Sequence, residues 1–255
     1  MAEVGHSPSL AAVAWRWLGD SRAARGALGT AKYLAGQLWE VLQDSLPARQ
    51  RSRFGDINYD CDHGVDTTWA RLAWRIRLRE VFSERLYQPT VPEEFDEIMQ
   101  HLASVDFAGF TFVDLGSGKG RALLMAAMYP FERVLGVEVQ PELHRIAEQN
   151  LAASDHAGWQ CSQVESCCLD AREFEFPETP LLVYLFNPFP EYVLRSVMER
   201  LGESLRRNPR LAYVVYNAPW EAHVLADADW LERMVNEERY QIYRARLVSS
   251  SHAEV

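Results

Sequence analysis

The chain has 255 residues, 48% of them apolar, and a formal net charge of −10. That composition excludes general disorder and suits one domain with an extension and a sizeable core. An acidic body weighs against a phosphate backbone as partner. No apolar run approaches the ~20 residues of a membrane span. Four cysteines without paired spacing point to a reducing compartment, so the cytoplasm is the expected location.

The charge is uneven. Residues 1–53 hold seven Lys and Arg against four Asp and Glu, and the acidic excess lies beyond them. Met1-Ala2-Glu3-Val4-Gly5-His6 lacks the basic start and apolar core of a signal peptide. Residues 1–55 read as a helical extension and linker. Within them Leu28, Ala31, Leu34/Ala35, Leu38 and Val41/Leu42 recur at helical spacing, a stripe expected to pack against the body. Pro47 to Gly55, with Arg49, Arg51 and Arg53, reads as a solvated linker. A single domain is expected over 56–248, followed by a loose tail at 249–255.

Asp60-Cys61-Asp62-His63 offers metal-type ligands, but a site needs three or four with set geometry and no second cluster follows. No metal is expected there. Gly64-Val65-Asp66-Thr67-Thr68 and Leu86-Tyr87-Gln88-Pro89-Thr90-Val91-Pro92 then lead into a helix at 93–102. Next, Phe112-Val113-Asp114-Leu115 reads as a strand. Gly116-Ser117-Gly118-Lys119-Gly120 reads as a tight turn, and the helix-forming run Ala122 to Ala127 follows. A dinucleotide site wants G-x-G-x-x-G, and here Arg121 stands at the third glycine. A Walker A loop wants Ser or Thr after its lysine, and here Gly120 follows Lys119.

A second apolar run, Val134-Leu135-Gly136-Val137, ends in Glu138. A carboxylate about 20 residues beyond such a turn, at the tip of the second strand, is placed to hold a ribose. Gln140-Pro141-Glu142 starts a helix with proline in its first turn. Asp170 lies in Cys168-Leu169-Asp170-Ala171. Leu181 to Phe186 is a continuous apolar run, as in a central parallel strand, and stops at Asn187-Pro188-Phe189-Pro190 before a helix at 191–205. Those residues end the strand and cap that helix, and Asn187 also falls at the carboxyl edge where α/β sheets hold ligands. Residues 211–216 read as a fifth strand with a turn at 217–220, and 240–247 as the last. Residues 230–235 fit either a strand or a helix.

Asp114-x-Gly116-x-Gly118-x-Gly120 resembles the first motif of the class I S-adenosylmethionine (SAM) dependent methyltransferases. The Tyr87–Thr90 segment resembles a Tyr-x-Pro-Thr loop found ahead of that motif in uncharacterised bacterial members and in the non-SET histone lysine methyltransferases. The resemblance implies an α/β, three-layer, Rossmann-like, seven-stranded and mostly parallel sheet, with SAM as cofactor. It implies that Gly116, Ser117, Gly118 and Gly120 lie along the methionyl part of SAM and that Asp114 acts near its amino group. Glu138 would hold the ribose, Asp170 and Ala171 the adenine, and Tyr87 and Thr90 would belong to a lid. Asn187-Pro188-Phe189 is similar to the Asn/Asp-Pro-Pro-Tyr/Phe motif of N-methyltransferases, although its aromatic residue comes one place early. The similarity implies contact of these residues with cofactor and acceptor.

No strong general base stands near these motifs. A neutral nitrogen can attack a sulfonium methyl directly, whereas a hydroxyl acceptor needs its proton removed. Methyl transfer to nitrogen, for example of a protein side chain, is therefore expected. A protein or small molecule is the expected acceptor rather than nucleic acid. Two alternatives stay open: a SAM-binding protein acting through its N-terminal helices without transfer, and an NAD(P)-linked oxidoreductase.

Overall fold

The computed structural model describes residues 10–44, 57–68 and 88–246. Tyr87, the linker expected at 47–55, the tail at 249–255 and Leu247 lie outside the described residues. The chain forms two compact units: residues 1–61 with 68–88, and residues 62–67 with 89–255.

The first unit contains α1 (Leu10–Asp44), which is broken at Gly26 with φ 71° and ψ 170°. Ser21 and Thr30 are both buried and share a hydrogen bond of 3.2 Å. Nine residues of straight helix would hold them about 13.5 Å apart, so the chain reverses at Gly26, a turn that favours the residue without Cβ. Arg25 stacks over Tyr33 at 4.5 Å. Of the expected stripe, Leu28 is 73% exposed, Ala31 and Ala35 are exposed and Leu34 is half-buried, while the side chains of Leu38, Val41 and Leu42 lie outside the described ones. Trp15 and Trp39 are likewise open. The helix α2 (Ile57–His63) follows.

The second unit carries a seven-stranded sheet in the order β3-β2-β1-β4-β5-β7-β6. Its strands are β1 (Thr111–Leu115), β2 (Arg133–Glu138), β3 (Val164–Cys168), β4 (Leu181–Phe186), β5 (Ala212–Asn217), β6 (Leu231–Asn236) and β7 (Tyr240–Ala245). The first five run parallel, and β7 enters antiparallel between β5 and β6. The segment 230–235 thus resolves as a strand. It stands at the sheet edge with a register shift between Arg233 and Val235, so neither face is buried enough to print a clean alternation. The strands β1, β2, β4, β5 and β7 begin or end within a residue or two of their sequence limits, whereas the sequence reading set no limits for β3.

Helices cover both faces. The central strands β1 and β4 are buried almost throughout, which is why they read as unbroken apolar runs. On one face, α3 (Pro92–His101) sets Phe95 edge-on to Phe112 at 6.1 Å and to Tyr184 at 5.8 Å. On the other, Val113, Leu115, Val137, Val183 and Leu185 pack with Leu194, Val197 and Leu201 of α6 (Glu191–Arg207). The short α4 (Arg121–Ala126) follows β1, α5 (Pro141–Ala153) follows β2, and α7 (Ala222–Ala226) follows β5. The α6 helix runs two residues past its expected end, with Arg206 and Arg207 favourably placed at its carbonyl terminus.

Candidate functional site at the carboxyl edge of the sheet

The register aligns Asp114 of β1 with Gly136 of β2 and Tyr184 of β4. Period-2 alternation therefore puts Asp114 and Glu138 on one face of the sheet. Both are buried. Glu138 accepts the Gly118 N–H on Oε2 at 2.9 Å and the Gln140 N–H on Oε1 at 2.8 Å. Burial raises the Glu138 carboxyl above its ordinary range, and these backbone donors partly oppose that. Among the described residues, the Asp114 carboxyl has no hydrogen-bond partner. Burial first, and the neighbouring Glu138 charge second, push its pKa up to about 8. Of the two, Glu138 is the better host for a negative charge because donors already face it.

Three glycines of the turn have positive φ: 85° at Gly116, 53° at Gly118 and 84° at Gly120. At Gly116 the reason is also a close approach. A Cβ there would stand 2.4 Å from Cβ of Pro188, so the turn after β1 and the turn after β4 press directly together. This contact brings Asn187-Pro188-Phe189 to the glycine turn. Ser117 is buried, with its N–H donated to the Val137 carbonyl at 3.1 Å.

Asn187 has φ 39°, and its N–H reaches the Asn217 carbonyl at 3.0 Å. The Tyr216 hydroxyl donates to Asn187 Oδ1 at 3.5 Å and accepts the Glu221 N–H at 3.2 Å. On the next strand Ala218 also has positive φ, at 48°. Two non-glycine residues in this region, side by side at one sheet edge, are the kind of strain that collects at functional sites. Phe189 is partly buried against the α6 side of the core.

Thr90 is buried and shares a hydrogen bond of 3.1 Å with the Tyr184 hydroxyl, which also accepts from Asn217 Nδ2 at 3.0 Å. Asp170 is gripped by Arg172, with Nη2 at 2.6 Å from Oδ2, and that hydrogen bond holds its carboxyl below the ordinary range. The backbone beside it is tied to β2 through Leu169 N–H and the Glu138 carbonyl at 3.1 Å. Ala171 is buried in the α6-side core. The structure thus gathers Asp114, residues 116–120, Glu138 and Asn187-Pro188. Asp170 joins them through the backbone, and Thr90 through Tyr184.

Sequence inspection missed the ties around Lys119. Its ammonium is fully buried and pairs with Asp66 Oδ1 at 2.8 Å. Arg121 Nε donates to Thr67 Oγ1 at 2.6 Å. Asn150 of α5 accepts the Asp66 N–H at 2.8 Å and donates to the carbonyls of Asp66 at 2.8 Å and Lys119 at 2.9 Å. The signal available was Asn150 itself, a polar residue in line with Leu143 and Ala147 on the buried side of α5. Lys119 is spent on a carboxylate, not held out toward a phosphate.

Two other features lie apart from this neighbourhood. A cleft of about 710 Å³ opens between α5 and β3, lined by Glu148, Leu151, Trp159 and Val164. It sits beside the amino half of β3, away from the carboxyl edge. Among the described residues, Glu191, Glu221 and His223 bring ligand-type atoms within 4.8 Å of one another. Arg195 already shares the Glu191 Oε1 at 2.8 Å, so this is an ion-pair cluster. Also among the described residues, no helix is long and apolar enough to cross a membrane.

Residues 72–175 match the family described as "Histone methylation protein DOT1". Several solved structures are similar. A magnesium protoporphyrin IX methyltransferase from Synechocystis, with bound SAM, is 16% identical with a TM-score of 0.43, covering 60% of this chain and 78% of that one. An RNA methyltransferase from Salinibacter ruber, in complex with S-adenosylhomocysteine (SAH), is 23% identical with a TM-score of 0.42, covering 65% and 99%. A dimethyladenosine transferase from Plasmodium falciparum is 11% identical with a TM-score of 0.45, covering 62% of each chain. Among curated proteins, none matches the sequence. The sheet order, with its single antiparallel insertion, is that of a class I methyltransferase-like fold.

Proposed function

We propose that the protein transfers a methyl group from SAM to a nitrogen of an acceptor such as a protein side chain. The observation that carries this is the buried pair Asp114 and Glu138 at the carboxyl edge, beside the 116–120 turn and Asn187. Each Glu138 oxygen uses one acceptor position on a backbone N–H, and an ionised carboxylate has about four. Capacity for two vicinal ribose hydroxyls remains. Asp114 is a buried carboxyl short of a partner, and a ligand ammonium supplies one. When bound, SAM provides an electrophilic methyl on a sulfonium.

The chain's own contribution is to hold, orient and exclude water. Glu138 fixes the sugar, Asp114 the amino-acid end, and the positive-φ turn lets the backbone pass close by. Asn187 Oδ1 accepts from the acceptor N–H and aims its lone pair, with Phe189 packed behind. Replacing Asn187 by Ala is expected to lower kcat about 10- to 100-fold while leaving SAH affinity near that of the wild type, because aim alone is lost. An equal fall in SAH affinity would place Asn187 on the cofactor instead. Methyl-labelled SAM incubated with fractionated lysate, followed by locating the label, tests the reaction. Label only on hydroxyl oxygens contradicts nitrogen transfer.

Binding should also be linked to protons. With its pKa at about 8, Asp114 is mostly neutral at pH 7 and must ionise to face a ligand ammonium. SAH affinity is therefore expected to rise from pH 6 to pH 8, with proton release on binding. The calorimetric enthalpy at pH 7 should vary with buffer ionisation enthalpy, and Asp114→Asn should remove that dependence. In the ligand-free protein the sign reverses. The folded state binds more protons than the unfolded one between the ordinary aspartate pKa and about 8, so Asp114 erodes stability as pH rises through that window.

A second proposal, SAM binding without transfer, is favoured by the exposed Trp15, Leu28 and Trp39 on α1. Tight SAH binding with no turnover on any lysate fraction would select it.

A further inference from the structure

We infer that Asp66 and Lys119 form a positioning pair that holds the 116–120 turn in its cofactor-binding shape, an inference that rests on the SAM site proposed above. Lys119 stands between two glycines of positive φ, where the backbone has the fewest restraints of its own. External ties fix it instead. Its ammonium is 0% exposed and meets Asp66 Oδ1 at 2.8 Å. Its carbonyl accepts from Asn150 Nδ2 at 2.9 Å. Asn150 brackets Asp66 in turn, through both the Asp66 N–H and the Asp66 carbonyl at 2.8 Å. One residue earlier, the Gly118 N–H points at Glu138 Oε2 at 2.9 Å.

The turn is clamped from both sides. Glu138 holds it through Gly118, and the Asp66 segment holds it through Lys119. If the Lys119 clamp loosens, the Gly118 N–H loses its aim and the Glu138 carboxylate loses one of the donors that fix its orientation. Asp66 touches no cofactor in this scheme and acts through the turn.

Burial gives the pair a directional signature. The Lys119 side chain is wholly buried, whereas that of Asp66 is 32% exposed. Taking away the lysine charge leaves a carboxylate that can turn to water. Taking away the aspartate charge removes an ion-pair partner from an ammonium that stays wholly buried, which costs more and loosens the turn that carries it.

The test is calorimetric titration of SAH into the wild type, Asp66→Asn, Lys119→Met, the double variant and Asp66→Glu, with thermal midpoints alongside. Asp66→Asn is expected to weaken SAH binding by about tenfold or more. Lys119→Met should weaken it less, the double variant should resemble Lys119→Met, and Asp66→Glu should recover most of the affinity. If Asp66→Asn folds poorly, Asp66→Glu and the double variant against Lys119→Met decide the same point. Wild-type SAH affinity in all folded variants, with only the midpoints moved, overturns the inference and leaves the SAM site standing. Simple addition of the two single losses in the double variant also overturns it. A folded wild type that binds no SAH is a different failure, that of the methyltransferase proposal itself.

Discussion

Replacing Glu138 by Ala is expected to remove measurable SAH binding while the protein stays folded. The carboxylate is the group proposed to hold both ribose hydroxyls, and hydrogen bonds to a charged acceptor contribute roughly 1.5–3 kcal/mol each. Two at the lower figure correspond to more than about 100-fold in Kd. Alanine also orphans the Gly118 and Gln140 N–H groups, which now end on Glu138 at 2.9 and 2.8 Å. Glu138→Gln keeps an acceptor and loses the charge, so it should fall between. Folding is expected to suffer little, because the change also removes a carboxyl whose burial opposes its charge. Unchanged SAH affinity in Glu138→Ala would remove the ribose role.

Gly116→Ala is expected to cost both stability and function. The new Cβ would stand 2.4 Å from Cβ of Pro188, at a φ of +85° that L-residues avoid. A left-handed backbone costs roughly 1–2 kcal/mol for a residue with Cβ, and overpacking roughly 1–3 more. Gly109 supplies the control. Its φ is +82°, and nothing lies within 4 Å of its Cβ direction. Gly109→Ala should show the backbone penalty alone in urea unfolding. The excess in Gly116→Ala then measures the clash, and methyl transfer should fall with it because Pro188 and Asn187 are displaced. Equal losses in the two variants would show that the contact between the two turns carries no energy.

The parallel core was legible because its strands are buried on both faces. Leu181 to Phe186 is apolar throughout for that reason, and its limits match the observed β4. The edge was less legible: β6 has one buried residue in six, and a bulge breaks what alternation it has. The site divides in the same way. Asp114 and Glu138 could be found because each ends an apolar run at a strand tip. Asp66, Lys119 and Asn150 could not, because their partners stand 53 and 84 residues away in the chain and no local spacing encodes such a pairing. Helical spacing of Leu28, Ala31 and Ala35 says that one face is apolar, and it does not say that the face is covered.

The most direct test is a titration of SAH into the folded wild-type protein at pH 8, where Asp114 is free to ionise. A saturable one-to-one heat, lost in Glu138→Ala and weaker at pH 6, is the predicted result. No heat with either SAH or SAM, from protein shown to be folded, would contradict the proposal that this sheet edge grips an adenosyl sulfonium.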